Sequence, residues 1–199
     1  MKQEAQGVRL FIAVPIPESL KDRVGEILLP LRRTNADYKW VEPRNLHLTL
    51  AFLGETPEDR IPEIEAAIGK AVEGRGAFEL AFGEFGAFDS LERPRVLWLG
   101  AREGSASLKG IAEGLLSALR EGGLLPEKEK DRPFSAHLTL GRMRSPRDLH
   151  RLKAALKSPP SLEGLGCRVD RLVLYESKLS PRGPLYREIY VNTLVNISD

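Results

Sequence analysis

The chain has 199 residues, 42% of them hydrophobic and 29% charged, with a formal net charge of +2. That is the make-up of a soluble globular protein long enough to bury a proper core, and it excludes a polycation that coats nucleic acid by bulk charge. A single cysteine, Cys167, excludes an internal disulfide and a cysteine-rich metal site; it reads as a buried small hydrophobe in a strand and fits a reducing cytoplasm. The opening MKQEAQGVRLFIAVPIPE reads as no signal peptide, and no apolar stretch approaches the length of a membrane span.

Val8 to Val14 is β-branched, aromatic and apolar and is ended by Pro15 and Pro17, which predicts a buried strand. Leu20, Val24, Ile27, Leu28 and Leu31 then fall at helical spacing, with Pro30 a kink or an end. A short strand YKWV and a turn EPRN lead into a strand over 46–53. Thr56-Pro57-Glu58-Asp59 has the form of a helix cap, although Pro62 moves the expected start towards Ile61; Ile64, Ile68 and Val72 carry the apolar face. AFELAFGEFGAF and RVLWLGAR read as two strands, and Leu108 to Leu119 as an amphipathic helix stopped at Gly122-Gly123. A further strand contains residues 137–140, Ser145 to Asp148 reads as the cap of another helix, and CRVDRLVLYESKL and PLYREIYVNTL read as a closing pair of strands around SPRGP. The expected fold is α+β, two similar lobes with antiparallel sheets facing a central cleft and helices outside, in a single bilobal domain over 1–199. From Arg132 to Arg151 five arginines stand against one acid, Asp148; the usual meaning of such a run is a solvated stripe.

The tetrapeptide HLTL occurs twice, at residues 47–50 and 137–140, and uses two of only three histidines. Along a strand, side chains alternate between faces, so His47 shares a face with Thr49, and His137 with Thr139, about 7 Å apart, while the leucines bury on the other side. Were the lobes related by a pseudo-twofold, the two pairs would face one another. Two imidazoles flanking one phosphorus suit phosphodiester chemistry: a neutral one takes a proton from the attacking oxygen and a protonated one gives a proton to the leaving oxygen. Threonine hydroxyls and an arginine fork supply the donors for phosphate oxygens.

A half-buried core histidine would explain one such motif but explains two identical ones poorly. No HxxxH, cysteine cluster or carboxylate spaced with either histidine builds a metal site, and no GxSxG elbow builds a serine triad, so neither metal nor cofactor is expected. His150 reads as a surface residue of a helix, and Trp40 and Trp98 as core.

RLFIAVPIP, NLHLTLAFLGE, RVLWLG, RPFSAHLTLGR and LYESKLSPRGPLYREI together resemble the 2H phosphoesterase superfamily over nearly the whole chain, in particular its bacterial and archaeal RNA 2′,3′-cyclic phosphodiesterases, also called 2′-5′ RNA ligases. Ala136 stands where that family often has proline. The resemblance implies His47 and His137 as catalytic, Thr49 and Thr139 as phosphate contacts, and Arg142 and Phe52 beside the terminal nucleotide. For Phe52 the residues alone leave core packing equally open, and for Arg142 a surface ion pair. The implied partners are RNA ends or cyclic nucleotides, with no membrane, and a monomer is expected. The implied reaction expels the 3′ oxygen and leaves a 2′-phosphate. His137 is assigned as base and His47 as acid, a direction the residues by themselves leave open. A non-catalytic RNA-end binding module of the same fold is the alternative.

Overall fold

The computed structural model of the protein describes residues 7–130, 133–181 and 183–195. Arg132, counted in the basic run, and Arg182, in the closing turn, lie outside the described residues. Among the described residues nine strands and four α-helices follow in the order β1 (Gly7–Pro15), α1 (Glu18–Arg32), β2 (Tyr38–Trp40), β3 (His47–Pro57), α2 (Ile61–Val72), β4 (Phe78–Asp89), β5 (Pro94–Ala101), α3 (Ser105–Glu121), β6 (His137–Met143), α4 (Leu149–Leu156), β7 (Gly166–Val169), β8 (Arg171–Ser180) and β9 (Gly183–Thr193). All pairings are antiparallel, in one sheet of order β3-β1-β8-β9 and a second of order β2-β6-β5-β4-β7.

The duplicated plan is strand, helix, HLTL strand, helix, strand. In each copy the first strand pairs with its own HLTL strand, β1 with β3 and β5 with β6. The strand after the second helix crosses to the other copy: β4 pairs with β5, and β8 pairs with β1. The lobes are therefore built by reciprocal exchange. One continuous buried cluster, from Leu10 and Ile12 through Leu97 and Leu99 to Leu138 and Leu174, spans both.

Most expected elements form where the periodicity placed them, and three depart from it. CRVDRLVLYESKL is two strands: Val169 ends β7 on the edge of the second sheet, and after Asp170 β8 runs in the first sheet. Both flanking side chains, Val169 and Leu172, are fully buried, so the apolar run continues although the sheet changes. Thr56 is not a helix cap; it lies in β3, its hydroxyl donates to the Gly54 carbonyl, and α2 begins at Ile61 after a single 3-10 turn. Ser145 does not cap α4 either. Its hydroxyl donates to Asp37 at 2.6 Å, tying the end of β6 to the start of β2, and α4 begins at Leu149.

Alternation along β1 gives the first sheet two apolar faces. Leu10, Ile12 and Val14 enter the main core, while Phe11 and Ala13 join Val173, Tyr175 and Tyr186 in a small separate cluster on the opposite, concave face. The sheet curls round that cluster. The Asn45 side chain, just before β3 at one edge, donates to the Pro184 carbonyl in β9 at the other, at 3.2 Å.

Candidate active site

Leu48, Leu50, Leu138 and Leu140 are all buried. Each contributes about 1.5–3 kcal/mol of apolar burial, which fixes the face on which the histidine and threonine emerge. His47 and Thr49, like His137 and Thr139, are only half-buried on the other side.

Both HLTL strands carry the same irregularity. Against β1, Ala13 faces Thr49 and Ile12 faces Ala51, leaving Leu50 as an extra residue. Against β5, Trp98 faces Thr139 and Leu97 faces Gly141, leaving Leu140 as the extra residue. A bulge of this kind reverses the alternation beyond it. Phe52 and Arg142, which simple alternation would place with the core leucines, instead emerge on the His/Thr side; Phe52 is 39% exposed between the buried Ala51 and Leu53. Core packing is thereby excluded for Phe52, whose ring lies 6.1 Å from that of Phe11. Arg142 is exposed beside Lys39 on the neighbouring β2, and no ion pair holds it among the described residues.

The two imidazoles are oriented alike. His47 Nδ1–H donates to the Asn45 carbonyl and His137 Nδ1–H to the Ser135 carbonyl, each at 2.7 Å and each two residues back. A carbonyl only accepts, so both Nδ1 atoms carry hydrogen and each neutral ring keeps its exchangeable lone pair on Nε2. Asn45 thus serves twice, its carbonyl setting the tautomer of His47 and its side chain closing the curled sheet. Neither threonine hydroxyl has a protein partner among the described residues.

The surroundings differ. His47 packs on Phe11, with ring centroids 4.8 Å apart, and meets Tyr186 edge-on at 5.3 Å. Burial pushes its pKa from 6.5 down to about 4, against the bond to Asn45, and the charge of His137 adds to the lowering. The two rings are therefore near enough to feel one another, and the strands that carry them, β3 and β6, are in contact. His137 has Phe88 perpendicular to it at 5.0 Å and Trp98 tilted at 6.1 Å. Across the cleft Arg142 reaches Tyr186: burial raises that phenol's pKa, and the charges of Arg9 and Arg142 oppose the rise.

The structure thus brings His47, His137, Thr49, Thr139, Arg142 and Phe52 to one cleft and leaves His150 exposed on α4. Trp98 is a correction. Its indole lies over Gly86, where a Cβ would come within 2.0 Å of the ring, so it forms cleft wall beside His137 rather than core. Trp40 does pack at the core's margin, stacked on Tyr38. Phe11, Phe88 and Tyr186 were missed. The odd-numbered side of β1 was a signal for Phe11; nothing in the sequence marks Tyr186, which arrives only because the sheet curls. Among the described residues no group of three or more His, Cys, Asp or Glu side chains could hold a metal ion, and no helix is long and apolar enough to cross a membrane.

A duplicated α+β fold with one His-x-Thr strand in each lobe is the architecture of the two-histidine phosphoesterases. The chain belongs to the LigT like Phosphoesterase family, whose model matches it twice, over residues 14–98 and 99–186. The RNA 2′,3′-cyclic phosphodiesterase of Methanothermobacter thermautotrophicus is 33% identical over 92% of this chain and 97% of its own length. That of Thermotoga maritima is 34% identical over 92% and 94%. Among solved structures, TT0787 of Thermus thermophilus superposes with a TM-score of 0.78 at 32% identity, covering 96% of this chain and all of its own. Escherichia coli LigT complexed with 3′-AMP gives 0.76 at 26% identity, covering 95% and 98%.

Proposed function

We propose that the protein is an RNA 2′,3′-cyclic phosphodiesterase that opens the cyclic phosphate at an RNA end to a 2′-phosphate, with no metal cofactor, as one bilobal monomer in the cytoplasm. The observation that carries this reading is the identical presentation of His47 and His137, each with Nδ1–H locked to a backbone carbonyl and Nε2 left for proton transfer. The names of its relatives and the 3′-AMP complex of Escherichia coli LigT support a nucleotide phosphate in the cleft.

Water attacks phosphorus in line with the 3′ oxygen, so one histidine serves each side. His137, beside Phe88 and Trp98, takes the proton of the attacking oxygen. His47, packed on Phe11 and Tyr186, gives its proton to the departing 3′ oxygen. Thr49 and Thr139 donate to the non-bridging oxygens, Arg142 holds their charge, and Phe52 and Arg142 flank the terminal base.

An acid whose pKa rests at about 4 lacks its proton at neutral pH. The substrate supplies the correction: a phosphodiester anion about 4 Å from the ring stabilises an imidazolium by about 4 kcal/mol at an effective dielectric near 20. With one pKa unit worth about 1.4 kcal/mol, that returns His47 to the neutral range. His47 is thus protonated as substrate binds, and the burial that disfavours its charge in the empty cleft strengthens the transfer once the anion is present.

The test is to treat RNA ending in a 2′,3′-cyclic phosphate, digest it to nucleotides and separate the terminal monophosphates. The expected product is the 2′-monophosphate; a dominant 3′-monophosphate overturns the direction of opening, and an untouched cyclic end overturns the activity. A non-catalytic binder would have no use for two oriented imidazoles and would leave the cyclic end intact.

A further inference from the structure

A second cavity adjoins the catalytic cleft. It measures about 370 Å³ and is lined by Glu84, Trp98, Ser105, Lys109, Phe134 and Ser135, with small residues between them. That volume lies in the range of small-molecule sites. Every lining residue comes from the second sheet, from α3 or from the segment 134–136 that leads into His137; the first sheet contributes nothing. The cavity therefore opens on the His137 side of the phosphate position, away from His47. Ser135, whose carbonyl orients His137, forms part of its wall.

The lining is that of a nucleoside site rather than an ion site. Trp98 and Phe134 offer aromatic surface, and Glu84 offers a carboxylate for hydroxyl or amino groups. Lys109 stands at the outer wall on α3. Its only ion pair among the described residues, to Glu113 at 3.7 Å, is exposed on both sides and worth little, so the ammonium is available to a phosphate.

We propose that this cavity binds the 5′-terminal nucleoside of a second RNA, presenting its 5′-hydroxyl to the cyclic phosphate, with Lys109 meeting the phosphodiester that follows. The inference rests on the two-histidine reading above, in which His137 is the base. The 5′ oxygen bonds to phosphorus and its proton passes to Nε2 of His137. The bond from phosphorus to the 3′ oxygen breaks, and the 3′ oxygen takes the proton from Nε2 of His47. The product is a 2′-5′ phosphodiester with a free 3′-hydroxyl. Water occupying the same position gives hydrolysis, so occupancy of this cavity partitions one intermediate geometry between two outcomes.

The experiment supplies 2′,3′-cyclic AMP together with the 5′-hydroxyl dinucleotide ApA and separates 2′-AMP from the 2′-5′-linked trinucleotide. Two variants change the cavity at exposed positions of α3, Ala106→Phe to fill it and Lys109→Ala to remove its charge. Each should lower the ratio of linked product to 2′-AMP at least about fivefold, the scale of one lost contact of about 1 kcal/mol, while hydrolysis without ApA stays within about twofold. With adenosine in place of ApA, Lys109→Ala should lose its effect, because the phosphate it meets is gone. In parallel, ApA should quench tryptophan fluorescence in the wild type and not in Ala106→Phe. A linked-product ratio unchanged in both variants, or a wild type that hydrolyses normally but neither links nor is quenched by ApA, overturns the proposal. Absence of hydrolysis with quenching retained sinks instead the catalytic reading and leaves the nucleoside site standing.

Discussion

The two HLTL strands share a sequence, a bulge and a histidine tautomer, yet their histidines meet different surroundings. His47 sits on Phe11 and against Tyr186 at the mouth of a curled sheet. His137 stands beside Phe88 and Trp98 on the second sheet, next to a second cavity. Duplication therefore supplied two imidazoles oriented alike, and divergence of the flanking strands gave them different neighbours. The same holds three residues beyond each threonine, where one strand offers an aromatic ring, Phe52, and the other a guanidinium, Arg142. On the proposed reading, a symmetric scaffold meets an asymmetric ligand, with the ring at one end offered to a base and the guanidinium at the other to charge.

The hardest blow to this comparison falls on the histidines. His47→Ala and His137→Ala should each lower turnover at least ~100-fold, the scale of losing a general acid or base, while His150→Ala should leave it unchanged. If His150 mattered as much as the other two, the duplicated motif would lose its meaning. Equal losses from the two catalytic variants at neutral pH are expected despite their different neighbours, because both protons must move.

The inequality itself is legible in stability. His47 is held neutral in the folded protein down to about pH 4, whereas its unfolded value is 6.5. Unfolded chains thus bind the proton first, and this contribution to stability, fully present above pH 6.5, is lost as pH falls towards 4. The gap corresponds to about 3 kcal/mol. Denaturant titrations between those limits should show a fall in stability that His47→Gln flattens. Calorimetry of 2′-AMP binding at pH 6, in buffers of different ionisation enthalpy, should show uptake of about one proton, and His47→Gln should abolish it. Binding without proton uptake would remove the reason for casting the buried histidine as the acid.

The specialised ends can be separated kinetically. Arg142→Ala should weaken kcat/KM about tenfold through loss of a charge-assisted contact. Phe52→Ala should cost less, about threefold to tenfold and mainly in KM, as loss of one stacked base would. Thr49→Ala and Thr139→Ala should fall between these and the histidines in kcat, since each removes a single donor to the phosphate. Replacement of Phe52 without any change in KM would return that ring to the role of an exposed hydrophobe.

Local pattern in the sequence determined a good deal. Period-two and period-four spacing placed the strands and helices, because burial of Leu20, Val24 and Leu28 on one helix face, or Leu48 and Leu50 on one strand face, is decided within a few residues. The repeated HLTL, with two of three histidines in it, pointed to proton transfer because alternation forces His and Thr onto one side. Tertiary structure alone decided the rest. Whether CRVDRLVL is one strand or two depends on which edges lie open to receive it, and β7 and β8 are equally apolar on either account. Phe52 could not be told from core, because an extra residue at Leu50 exists only relative to the register of β1. The lowered pKa of His47 follows from burial, to which Tyr186, 139 residues from His47 along the chain, contributes by reaching it across a sheet whose edges Asn45 and Pro184 draw together. A local sequence specifies which side chain is offered, but desolvation is set by whatever the whole chain packs against it.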